Sequence, residues 1–164
     1  MTNATQTTVH VHRIYINAPA QQVWDAITDP KWNGQYAFRA PSEYDLRPGG
    51  LYAVRSTAEM QAMGAPAVLI DGEVIEAEPP TRLVQTWRAF FTPETAAEGF
   101  TRLTWELDEE RPGLTRVTVT HDVENKPNVA AATTSDAKLD EGGGGWAWIL
   151  SDLKTFLETG QSTS

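Results

Sequence analysis

Gly145-Trp146-Ala147-Trp148-Ile149-Leu150-Ser151-Asp152-Leu153-Lys154-Thr155-Phe156-Leu157-Glu158-Thr159-Gly160 closes a chain of 164 residues. Trp146, Ile149, Leu150, Leu153, Phe156 and Leu157 recur at the spacing of one helical face, which predicts a strongly amphipathic helix from about residue 143 to 159. Gly160 suits the left-handed conformation that ends a helix. Ser151, Asp152, Lys154, Thr155 and Glu158 fall on the other side and predict a wet face. One helix with one apolar stripe must lie on an apolar surface supplied by the rest of the chain.

That surface is a sheet. From residue 42 to 123 the sequence alternates like strands, broken by Arg47-Pro48-Gly49-Gly50, Met63-Gly64-Ala65-Pro66, Glu78-Pro79-Pro80 and Glu110-Arg111-Pro112-Gly113, each a hairpin connection. Leu103, Trp105 and Leu107 alternate with Arg102, Thr104 and Glu106, and Val117, Val119 and His121 with Arg116, Thr118 and Thr120. One face is therefore buried, and short turns make the neighbours antiparallel. Upstream, Val9–Asn17 reads as the first strand. Pro19 starts a short helix carrying Val23, Trp24 and Ile27, and Asp29-Pro30 caps a second that carries Trp32 and Tyr36 inward. Residues 124–145, with the run Gly142–Gly145, predict a flexible loop or a broken short helix. The expected fold is α+β: six to seven antiparallel strands curved around the long C-terminal helix, with two short helices after the first strand. Residues 1–8 form a polar disordered tail, 9–160 a single domain and 161–164 a C-terminal tail.

Composition excludes several classes. With 22 acidic and 13 Lys plus Arg residues the net charge is −9, and no basic run occurs, which argues against nucleic acid as a partner. Zero Cys removes disulfides, thiol nucleophiles and Cys-bound metals. Ala65–Ile70 and Trp146–Leu150 are far shorter than the ~20 residues a membrane helix needs, and Met1–His12 has no hydrophobic signal core, so a cytoplasmic protein without membrane insertion is expected. Asp108-Glu109-Glu110 at a hairpin predicts a solvated charge run.

A set of motifs occurs in a familiar order. Ile14-Tyr15-Ile16-Asn17-Ala18-Pro19 leads to Val23-Trp24-Asp25-Ala26-Ile27-Thr28-Asp29-Pro30, then Asp45-Leu46-Arg47-Pro48-Gly49-Gly50. Asp71-Gly72-Glu73-Val74-Ile75-Glu76, Pro80-Thr81-Arg82-Leu83 with Trp87, Thr120-His121, and Gly145-Trp146 with Leu150 and Leu153 follow. In this the chain resembles the START-like (SRPBCC, Bet v-type) helix-grip superfamily, and within it the domain of the activator of heat shock protein 90 ATPase. The resemblance implies a cavity between the long helix and the concave sheet, which in relatives holds lipids, hormones, polyketides or other small apolar molecules. The motifs themselves are structural: none supplies a nucleophile, a phosphate cradle or a metal cluster.

The inward positions Tyr52, Trp87, Trp105, Leu150 and Leu153 would line such a cavity, and most apolar members of this set are simply core. The polar residues on the same face, His12, Gln85 and His121, are the informative ones, because an apolar cavity with a few polar groups is the usual form of a ligand site. His121 is the candidate to orient a carbonyl or hydroxyl or to act as a general base; the plainer reading is a core histidine bonded to a neighbouring strand. His10 and His12 share a face, but with no apparent third ligand no metal or other cofactor is expected. Trp148 falls beside the stripe, to cover the cavity mouth, meet a second subunit in a homodimer, or lean on the 124–145 segment.

Three functions compete. The first is binding a small apolar molecule without chemistry. The second is a polyketide cyclase- or hydrolase-like enzyme using His121. The third is a co-chaperone contact, less favoured because only eight residues precede the first strand whereas the activator carries an additional amino-terminal domain.

Overall fold

The computed structural model describes residues 8–164, so residues 1–7 of the expected tail lie outside the described residues. Among the described residues, seven strands, β1 (Val9–Ile16), β2 (Ser42–Tyr44), β3 (Leu51–Arg55), β4 (Val68–Glu78), β5 (Arg82–Ala89), β6 (Thr101–Arg111) and β7 (Leu114–Asp122), form one antiparallel sheet in the order β1-β7-β6-β5-β4-β3-β2. Among the described residues there are six α-helices, α1 (Ala20–Thr28), α2 (Pro30–Asn33), α3 (Ala58–Ala62), α4 (Pro93–Glu98), α5 (Pro127–Thr133) and α6 (Gly145–Thr159). The stripe of α6 seats Trp146, Leu150, Leu153 and Phe156 in one core with Leu83, Leu103, Trp105, Val117 and Val119 of the sheet. This is the helix-grip arrangement expected from α6 and the strand alternation.

Local chemistry sets the joints. Asp29 ends α1 and caps α2, its Oδ1 accepting from the Lys31 N–H at 2.9 Å, ahead of Pro30. Asn33 ties this corner to the sheet, donating to Ile27 O and Ser42 O and accepting from the Ser42 N–H. Gly72 is a close backbone approach: a Cβ there would stand 2.1 Å from Thr86 O. Gly145 opens α6 with φ +53°, and a Cβ would stand 2.0 Å from Thr133 O, so the end of α5 is pressed against the start of α6.

Several expectations are corrected. β3 reaches β4 through α3 rather than by the Met63-Gly64-Ala65-Pro66 turn alone, while the segment 124–145 takes the broken-helix form of its two expected alternatives, with α5 and a 3-10 turn at Leu139–Glu141. Asp152 is not on a wet face; it is fully buried. The C-terminal segment folds back over α6, so that Asp152 accepts from the Ser162 hydroxyl (2.6 Å), the Thr163 N–H (2.8 Å), the Thr163 hydroxyl (2.8 Å) and the Ala37 N–H (2.7 Å). These bonds hold its carboxyl below the usual range although burial pushes the other way. Glu109 is more than a solvated charge: its Oε1 accepts from the Ala20 N–H at 2.7 Å, supplying the cap that Pro19 lacks, while Asp108 and Glu110 pair with Arg116. Trp32 stays 37% exposed, its ring 6.5 Å from Phe156, whereas Tyr36 is buried and stacks on Phe156 at 5.6 Å.

Candidate functional site

Cross-strand register builds the concave face. His10 lies opposite His121, His121 opposite Leu103 and Leu103 opposite Gln85, forming one row. His12, Val119, Trp105 and Leu83 form the next. Of the predicted residues, Tyr52, Gln85, Trp87, Trp105, His121, Leu150 and Leu153 are all buried, and His12 is half-buried on the edge strand β1.

His121 is enclosed by its own fold. The Thr101 hydroxyl donates to Trp87 O at 2.9 Å, so at 2.7 Å it accepts from His121 Nε2–H. The indole N–H of Trp146 donates to His121 Nδ1 at 3.1 Å. This network assigns the neutral Nε2–H tautomer. Trp87 stands edge-on to the imidazole at 4.9 Å. Burial first, then the neighbouring His10, lowers the His121 pKa to about 3, against a smaller opposing pull from Asp122. Neither ring nitrogen is left for a guest.

Gln85 is also occupied. The Tyr44 hydroxyl donates to its Oε1 at 2.8 Å, and the Tyr52 hydroxyl lies beside Tyr44, Gln85 and Trp87. The Tyr44 and Tyr52 rings pack 4.6 Å apart, and burial above all pushes both phenols up, away from ionisation. Tyr44, Thr101 and Trp146 were absent from the candidate set. Alternation and helical phase place Tyr44 and Trp146 inward, but nothing local pairs them with Gln85 and His121.

What remains is at the β1 end. Among the described residues, three buried side-chain nitrogens have no partner: His10 Nδ1, His12 Nε2 and Trp105 Nε1. All three belong to the two rows just described. Burial, with His10 beside it, lowers the His12 pKa. Among the described residues no group of three or more His, Cys, Asp or Glu side chains is placed to hold a metal.

The opposite, convex face carries a cleft of 330 Å³ lined by Arg13, Arg82, Arg116, Glu78, Glu106 and Asp108, among others. Its charges neutralise one another: Arg82 pairs with Glu76 and Glu106, and Arg116 with Asp108 and Glu110. Such partly exposed pairs read as a solvated face. No described helix is long and apolar enough to cross a membrane.

A curved antiparallel sheet closed over a C-terminal helix, with polar side chains inside the grip, defines a START-like helix-grip domain. The comparisons agree with that class. The chain belongs to the family described as Activator of Hsp90 ATPase homolog 1-like protein, whose model matches residues 17–158. Similar solved structures include CalU16 from Micromonospora echinospora, at 23% identity over 94% of this chain and 77% of that one, TM-score 0.63. The Aha1 dimer from Colwellia psychrerythraea matches at 18% identity over 94% and 99%, TM-score 0.65. An HSP90 activator from Plasmodium falciparum matches at 20% identity over 70% and 71%, TM-score 0.53. At these identities the likeness shows the fold. No curated protein sequence matches the chain.

Proposed function

We propose that this protein binds a small apolar molecule between α6 and the concave face of the sheet, without chemistry at His121. One observation carries the reading: in an interior where Gln85, His121 and Asp152 have their partners, three buried nitrogens on the concave face have none among the described residues. Buried polar atoms are normally bonded, and a cluster of exceptions calls for an occupant. The enzyme reading draws no support from His121, because a general base must take up a proton near neutral pH. There His121 would lose the Trp146 bond and bury a charge.

Tryptophan emission titrated with a panel of lipophilic molecules tests the proposal, since Trp87, Trp105 and Trp146 all lie in the grip. A saturable change accompanied by a raised melting temperature is expected. No saturable change across the panel overturns it.

A second reading is favoured by the family description and by the Colwellia and Plasmodium structures, which carry Hsp90 activation or Aha1 in their names. In it the exterior contacts an Hsp90-type ATPase. A coupled ATPase assay with the cognate chaperone decides: stimulation by this chain alone moves the important surface from the grip to the outside. Sedimentation velocity tests homodimer formation, suggested by the dimeric Colwellia relative.

A further inference from the structure

Trp105 is 5% exposed, and its indole N–H finds no acceptor. An indole nitrogen only donates, so whatever satisfies it must offer a lone pair. Two strands away in the same row is His12, with Nε2 unpartnered; His10, one row along and on the same face, has Nδ1 unpartnered. Imidazole nitrogens donate or accept according to tautomer. Trp146 of α6 stands edge-on to Trp105 at 5.7 Å, but its nitrogen is itself a donor, bonded to His121, and offers the Trp105 N–H no lone pair. The two rows otherwise present Val119, Leu83, Leu103, Gln85 and His121, and no carboxylate.

We infer that Trp105, His10 and His12 form the polar end of the grip, selecting an apolar molecule that carries an acceptor oxygen, such as a ketone or hydroxyl, over a hydrocarbon or a cation. This rests on the guest-binding reading above and adds the chemical class of the guest. An acceptor oxygen answers the Trp105 N–H directly. A hydrocarbon leaves it desolvated and unbonded, and a cation would be buried with no carboxylate to balance its charge.

The test uses three probes of similar shape: 2-acetylnaphthalene, 2-isopropylnaphthalene and 2-naphthylmethylammonium. Binding is followed by two-dimensional ¹H–¹⁵N NMR of the six indole N–H groups. A Trp105→Phe variant identifies the Trp105 signal by its loss. The ketone is expected to bind about tenfold or more tightly than the hydrocarbon, to exclude the ammonium probe, and to move the Trp105 signal downfield. In Trp105→Phe that preference should fall to about threefold or less. Should the buried substitution unfold the protein, His12→Leu on the edge strand serves instead, and the preference should fall there too. Equal binding of ketone and hydrocarbon with the Trp105 signal unmoved overturns the polar end while leaving the guest-binding reading intact. A Trp105 N–H that contacts only water in the presence of every probe shows a buried water site and also overturns the inference. The lipophilic panel then judges the broader reading separately.

Discussion

His121 shows how one enclosed side chain makes stability depend on pH. In the unfolded chain a histidine protonates near 6.5; in the fold, burial holds His121 down to about 3. Below pH 6.5 the unfolded chain therefore takes up a proton that the folded chain refuses. The stability is complete above pH 6.5 and is lost as pH falls toward 3, at up to about 1.4 kcal/mol per unit. His12, lowered mainly by burial, acts in the same direction. Urea unfolding should give a free energy about 1–2 kcal/mol smaller at pH 5 than at pH 7. His121→Gln, whose amide does not titrate, should show a clearly smaller drop, and an equal drop in both proteins would place the sensitivity elsewhere. The inward position of His121 was legible, because it continues the alternation of Val117 and Val119. Its partners were not: Thr101 and Trp146 stand 20 and 25 residues away, and no local pattern encodes a pairing across that distance.

The terminal helix α6 puts two adjacent residues to opposite uses. Leu153, fully buried, is packing, and Leu153→Ala should cost about 2–5 kcal/mol in chemical denaturation. A loss below about 0.5 kcal/mol would mark it as a surface position. Asp152, equally buried, is an acceptor for four donors from the C-terminal segment and from the loop at Ala37. Asp152→Asn turns one oxygen into a donor facing donors, and should cost about 1–3 kcal/mol. If Asn is accommodated without loss, the segment 161–164 does not dock there in solution. Helical phase alone read Asp152 as wet, because the outer side of a helix is wet only until another segment covers it. The short helices α3 and α4 were missed for a related reason. Their caps, Thr57 to the Met60 N–H and Thr92 to the Thr95 N–H, are three-residue signals inside a region dominated by strands. Helices this brief depend on tertiary packing rather than on propensity.

Across the whole molecule, the first strand pairs with the last, and α6 shares one core with α1 and the inner face of the sheet. Neither terminus of the fold then has a core of its own. Far-UV circular dichroism and tryptophan fluorescence should report one coincident unfolding transition, whereas two separated midpoints would mean that part of the sheet or α6 melts alone. The amino-acid pattern was sufficient for the helix-grip class, the antiparallel sheet and the buried faces, because periods of 3.6 and 2 residues are local properties that fix which side of each element is apolar. Folding alone brought Thr101 and Trp146 to His121, Tyr44 to Gln85 and the C-terminal segment to Asp152, and left Trp105 Nε1, His10 Nδ1 and His12 Nε2 without a hydrogen-bond partner among the described residues. Hydrogen-bond satisfaction depends on which distant elements meet across the core, and that is a property of three-dimensional packing rather than of any stretch of sequence.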